Sequence, residues 1–251
     1  MPTKQSHNGM RLLRRNKVAP RNDKFCCTIF LMNSTARTTF QDELIKLQSL
    51  VLDLGQKVKA NGELLLQFLK NKEMVNELFL QIKEKDKEID DARWQVHDFG
   101  DQLIVLQQPV AKDFRQIITS IQITDNLERI GDHFKKTARL LEKVSLAETE
   151  IPEEIIEMAK SGLKMLSESI TAYSEIFEGK TNKIALLDEH VDSLYKQTIK
   201  KIVLLIKKAP EEQIDSLSKL FFVAQSFERA ADHAAKIGQL VNYAITGERN
   251  K

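Results

Sequence analysis

Four pairs of acidic residues share one spacing, acid-x-x-x-Asp: Asp86 with Asp90, Glu128 with Asp132, Asp188 with Asp192, and Glu228 with Asp232. Residues four apart on a helix lie on one face, one turn apart. Two carboxylates so placed repel by roughly a few tenths of a kcal/mol unless a cation lies between them. All-oxygen sets of this kind suit hard cations such as Mg²⁺, Mn²⁺ or Fe³⁺. One such pair alone would read as a solvated face, because charge-rich helices produce them freely. Four pairs repeated in register point to metal, and the alternative is an acidic face with Arg129, Lys136, Arg229 and Lys236 as local counter-charges.

The register is internal to the chain. Residues 121–140, IQITDNLERIGDHFKKTARL, align on 221–240, FFVAQSFERAADHAAKIGQL, at an offset of 100. Glu128, Arg129, Asp132, His133, Lys136 and Leu140 fall on Glu228, Arg229, Asp232, His233, Lys236 and Leu240. A second echo sets Asp86-Lys-Glu-Ile-Asp90 against Asp188-Glu-His-Val-Asp192. His133 and His233 each follow an Asp by one residue, about 100° round the helix from it. That is poor geometry for a shared metal and predicts a hydrogen bond to a neighbouring helix. His97 and His190 have no repeated partner and read as surface residues, and Trp94, offset-paired with Tyr195, reads as packing. Chemistry of the ferritin-like kind would need Glu-x-x-His on two helices facing inward, and the chain has none.

The elements that must position these acids read as helices. From Phe40 the apolar positions step by four and three through Leu44, Leu47, Val51, Leu54, Val58, Leu65 and Phe68, with Asn61 the polar interruption. Thr39 with Asp42 predicts a capped start. Val75, Ile82, Ile89, Val96 and Leu103, with Leu78, Ala92, Phe99 and Leu106, form the second helix. Pro109, Pro152 and Pro210 predict the starts of the third, fourth and sixth helices, Thr181 caps the fifth, and Gly247 ends the sixth. On the third helix the apolar stripe is Leu127, Ile130, Phe134, Ala138 and Leu141. Glu128 and Asp132 lie about 120° from its centre, beside the core seam, and Asp125 joins them there. The expected fold is all-α: six helices as two tandem three-helix bundles related by an internal pseudo-twofold repeat, over residues 36–148 and 149–248.

Composition agrees. The 251 residues include 9 glycines and 5 prolines, with charged residues at 29% and hydrophobic at 42%, a balance that suits solvated helices rather than a large sheet. No apolar run is long enough to span a membrane. The net charge of +2 is an average over unlike parts. Residues 1–31 hold seven bases and one acid, and residues 32–251 hold 31 bases and 35 acids. The mildly acidic body disfavours a general nucleic-acid binder. Both cysteines, Cys26 and Cys27, precede it, so the body has no thiolate sites. Residues 1–35 are expected to form a basic disordered tail, with Met32 an alternative start of translation.

NLERIGDH at 126–133 and SFERAADH at 226–233 closely resemble the paired motifs of the PhoU family, regulators of bacterial phosphate uptake. KDKEIDDARW at 85–94 and DEHVDSLY at 188–195 resemble its middle-helix motifs, and the likeness covers about 36–247. The resemblance implies tandem three-helix bundles whose acid-x-x-x-Asp motifs hold surface metal clusters. It carries eight ligands over: Asp86, Asp90, Glu128, Asp132, Asp188, Asp192, Glu228 and Asp232. The metal would be iron, zinc, manganese or magnesium. It implies a cytoplasmic, non-enzymatic negative regulator, homodimeric, acting between the ATPase of a phosphate ABC transporter and a phosphate sensor histidine kinase, with no nucleic-acid partner and near the membrane only through its partners. An accessory protein of a simpler phosphate permease and a metal-free helical scaffold are the alternatives. The chain departs from the family pattern at Asn126, where an acid is common, at Gln225 and Ser226, and at Ala230-Ala231 in place of Ile-Gly. These departures bear on the second site's nuclearity and occupancy more than on the fold.

Overall fold

The computed structural model describes residues 23–70, 75–144, 149–175 and 184–248. Its six helices are α1 (Asp23–Lys70), α2 (Val75–Gln107), α3 (Ala111–Glu142), α4 (Glu153–Ser174), α5 (Ile184–Ile206) and α6 (Glu211–Thr246). The described residues contain no strand. No helix among them is long and apolar enough to cross a membrane. The chain divides into two units, Met1–Gln41 and Asp42–Lys251. The smaller one contains the first turns of α1. That helix starts at Asp23, well before the expected start near Phe40, so Thr39 lies inside it. Residues 1–22 of the expected tail, and Thr181, fall outside the described residues.

The larger unit follows the apolar steps. On α1, Leu44, Leu47, Val51, Leu54, Val58, Leu65 and Phe68 are all buried, each contributing about 1.5–3 kcal/mol relative to exposure. Asn61 is equally buried in that seam, with neither side-chain polar atom partnered. On α2, Ile82, Ile89, Val96 and Leu103 are buried, whereas Leu106 is 74% exposed near the helix end, beyond the reach of the core. The whole α3 stripe from Leu127 to Leu141 is buried.

Helix ends follow the local chemistry with small shifts. Pro152 and Pro210 occupy the cap positions of α4 and α6 rather than their first turns. Pro109 precedes α3 by two residues, and the break around it needs positive φ at Gln108 and Ala111. Gly247 ends α6 at φ 76° and donates its N–H to the Tyr243 carbonyl at 2.8 Å, the left-handed turn that glycine adopts without a Cβ penalty.

Helices α1–α3 and α4–α6 are the two three-helix units. They join along α3 and α6, which pack against each other, and along α1 and α4. A Cβ on Gly55 would meet the Ile170 side chain at 3.0 Å, and one on Gly62 would lie 2.5 Å from Leu163 and 2.7 Å from Phe134. Bare backbone at these two positions therefore lets α1 approach α4 closely. A buried hydrogen bond between Ser120 of α3 and the Tyr173 hydroxyl of α4, 2.7 Å long, crosses the seam, and within the second unit the Ser169 hydroxyl donates to the Ala234 carbonyl at 2.8 Å.

Candidate metal centre

In each half the middle helix packs against the last helix, α2 on α3 and α5 on α6. The acid pairs sit beside that contact. A Cβ on Gly131 of α3 would meet Ile89 at 3.3 Å and an Asp86 carboxylate oxygen at 3.9 Å, so the two helices are close where the acids lie.

The halves differ in what faces the acids. In the first, the Lys135 ammonium lies 2.5 Å from Asp86 Oδ2 and 3.0 Å from Asp132 Oδ1. Asp86 is almost fully buried, at 4% exposure. Burial raises its pKa, against the pull of Lys135. Burial alone would lower Lys135, but its hydrogen bonds to Asp86 and Asp132 hold it above the usual lysine range. Glu128 is raised by burial and then by Asp132. The first half thus carries its own cation between two of its four carboxylates.

The residue matching Lys135 is Ala235, and among the described residues of the second half no such cation lies between the acids. Asp192, Glu228 and Asp232 each bring one carboxylate oxygen within 4.8 Å of the others. Two oxygens on one hard cation, each at about 2.0–2.6 Å from it, are separated by no more than about 4–5 Å, so this donor set fits a hard cation. Among the described residues it is the one trio of acid, histidine or cysteine side chains so arranged. Asp188 is half-buried beside them, its pKa raised by burial and then by Asp232 and Asp192. Burial raises Glu228, with Asp232 adding to it, and burial raises Asp232 although Arg229 opposes.

Arg129 and Arg229 take matching places. Arg129 lies 3.7 Å from Glu128 and 3.9 Å from Asp132, and Arg229 lies 3.6 Å from Glu228 and 4.0 Å from Asp232. Both are exposed and hold these acids loosely. Lys136 and Lys236, expected as counter-charges, form no ion pair among the described residues. Lys135 does so instead, a role the sequence signals only as a lysine aligned with an alanine.

Other side chains depart from expectation. Asp125 faces α2, as Glu128 and Asp132 do, and accepts from Arg93 Nε at 2.9 Å, with His97 Nε2 at 3.0 Å. His97 is therefore a half-buried partner of α3 rather than a free surface residue. Trp94 is 59% exposed, with the Arg93 guanidinium 5.2 Å from its ring, rather than packed in the core. His190 is exposed as expected. His233 makes the expected interhelical bond, Nδ1 to Asn126 Oδ1 at 2.9 Å. His133 does not: its Nδ1 is buried without a partner, as is the hydroxyl of Ser226, which matches Asn126. Serine is too short to repeat what asparagine does across the pseudo-twofold. The two imidazole rings face each other at 5.8 Å between centroids, tilted by 32°. Burial, and then His233, lowers the His133 pKa to about 4.

Carboxyls raised by folding have a testable consequence. A raised carboxyl holds its proton more tightly in the folded than in the unfolded state. Between the unfolded value, about 4, and the raised folded value, stability therefore falls as pH rises. In the metal-free protein Asp188, Glu228 and Asp232 are expected to favour the folded state as pH drops through their raised folded values towards the unfolded value of about 4. Melting temperatures of the chain and of an Asp232→Asn variant, compared across that window, check this. The variant should show the shallower acid-side gain, and added Mn²⁺ should flatten the curve of the unsubstituted chain. Parallel curves would refute it.

Two helical hairpin-and-return units, fused in tandem with carboxylates beside the seam of each, define a class of duplicated helical bundle. The PhoU domain model matches residues 51–141 and 155–241, and the chain belongs to the PhoU family. It is 30% identical over 216 residues to the phosphate-specific transport system accessory protein PhoU homolog of Clostridium acetobutylicum, spanning 85% of this chain and 97% of that one. It is 33% identical over 217 residues to the homolog of the same description from Streptococcus pneumoniae, spanning 84% and 97%. Crystal structures superpose as well: the phosphate transport system regulatory protein PhoU from Streptococcus pneumoniae has a TM-score of 0.75 at 26% identity, over 84% of this chain and 99% of that one. PhoU from Pseudomonas aeruginosa has a TM-score of 0.74 at 27% identity, over 83% and 100%.

Proposed function

We propose that this protein regulates phosphate uptake and phosphate-starvation signalling, as a non-catalytic negative regulator between the ATPase of a phosphate ABC transporter and a phosphate sensor histidine kinase. The observation that carries the reading is the double PhoU domain match, supported by relatives named as accessory to a phosphate-specific transport system. The regulator acts in the cytoplasm as a homodimer and meets the membrane only through its partners. Deleting its gene should switch phosphate-starvation genes on in phosphate-rich medium, and genes that stay silent there would overturn the repressor role. Reduced phosphate uptake with unchanged gene expression would favour the second reading, an accessory protein of a simpler permease.

The metal reading belongs to the same proposal. All eight carboxylates remain candidates, but the donor geometry weights the halves unequally. Asp192, Glu228 and Asp232, with Asp188 beside them, suit iron, manganese or magnesium as an oxygen-ligated cation, and zinc less well without nitrogen or sulfur ligands. Asp86, Asp90, Glu128 and Asp132 could take one only with Lys135 displaced. The motif departures argue against the second site. The missing lysine argues for it, and more strongly, because an ammonium at hydrogen-bond distance competes directly with a metal.

A further inference from the structure

The first half carries a second feature. A groove of about 970 Å³ runs between α2 and α3 from the acid cluster towards the C-terminal end of α3. Beyond the acids it is lined by Lys83 and Lys87 of α2 and by Lys136, Arg139 and Lys143 along α3. None of these five forms an ion pair among the described residues; Glu142 lines the groove among them, and Asp86, Asp90 and Asp132 line its other end. Like charges three or four apart on a helix repel, and both helices here carry such sets facing one space.

Helix termination does not account for them. Cations near a helix C-terminus favour the helix dipole, which covers Arg139 and Lys143 but not the two lysines on α2. The matching helix α6 ends with no basic residue in its last turn. The repeat shows the same divergence elsewhere: Lys87, Arg139 and Lys143 fall on Glu189, Gln239 and Tyr243. The acid pairs thus recur in both halves, whereas these three bases belong to the first alone.

We infer that the α2–α3 groove of the first half is a binding site for a phosphoryl polyanion, held by Lys83, Lys87, Lys136, Arg139 and Lys143. The cations on α3 span eight residues, a rise of about 10 Å along the helix, which is longer than a single phosphate. Arg139 offers a planar fork for two phosphoryl oxygens, and the lysines act as point charges around it. A free pyrophosphate-like anion and a phospholipid headgroup present this same chemistry. The site draws its charge from the five bases and uses none of the second-half carboxylates, while the first-half acids Asp86, Asp90 and Asp132 border it.

The test is calorimetric titration of the full chain with inorganic pyrophosphate, repeated with Lys87→Glu and with Arg139→Gln, each the residue of the other half. Metal content and melting temperature are measured on every sample. The expected result is one pyrophosphate per chain, bound about tenfold more weakly by each variant, with metal content unchanged. Flotation with phosphatidylcholine vesicles containing phosphatidic acid separates the sources. Flotation that both substitutions abolish and pyrophosphate displaces identifies a headgroup, and pyrophosphate binding without flotation identifies a soluble anion. Absence of both, or pyrophosphate binding that survives both substitutions, overturns the site. Pyrophosphate binding that instead disappears with Glu228→Ala also overturns it, since the anion would then sit on a second-half metal.

Discussion

Alanine at both Glu228 and Asp232 is expected to strip bound metal from the full-length chain, while alanine at Glu128 and Asp132 leaves it in place. The two double variants remove the same residue types from matching positions of a repeat, so composition cannot separate them. Geometry does. Glu228 and Asp232 supply two of the three oxygens that lie within 4.8 Å of one another, and among the described residues the only base paired with them is the loosely held Arg229. Losing partners of ligands already costs about 10–100-fold in metal affinity, so losing two ligands should cost more than about 100-fold. Elemental analysis after dialysis reads this directly. Equal metal loss in both variants would show that the lysine does not exclude metal. Unchanged metal in both would sink the ligand assignment altogether.

Lys135→Ala should have the second largest effect, and in two directions. It gives the first half the residue its repeat carries, Ala235, and removes the ammonium from between Asp86 and Asp132. In the presence of Mn²⁺ the metal content should rise by about one equivalent per chain. In its absence the protein should be less stable, because Asp86 is buried and loses its partner. Breaking a fully buried pair costs about 3–5 kcal/mol. The Lys135 side chain is 35% exposed, so solvent screening reduces this to about 1–2 kcal/mol. For a domain of this size that is a fall of roughly 2–8 °C in melting temperature, recovered when metal is added. A variant as stable as the parent and with no added metal would mean that Asp86 simply protonates when left alone.

Much of the fold was legible in the residues because helical bundles are written locally. The apolar steps on α1 and the α3 stripe name one face of each helix, and burial follows them almost position by position. Helix ends were legible where a single residue type decides them, as at Gly247. They were less so at Pro109, where the chain needs two positive-φ residues before α3 can start. Leu106 and Trp94 failed for a different reason. Periodicity says which way a side chain points, but not whether a neighbouring helix is there to cover it.

The same division runs through the site. The sequence by itself determined the family, the duplicated bundle and the eight acids beside the seam, since each is a matter of spacing along one chain. Tertiary structure alone decided how far the two halves have diverged. Whether Lys135 reaches Asp86, whether Asp125 meets Arg93 and His97, and whether Ser226 can do for His133 what Asn126 does for His233 all depend on packing between helices. Those contacts turn on a few ångströms of side-chain reach. Electrostatic and hydrogen-bond energies change steeply over that range, so two motifs nearly identical in sequence present an ammonium in one half and a gathered set of carboxylates in the other.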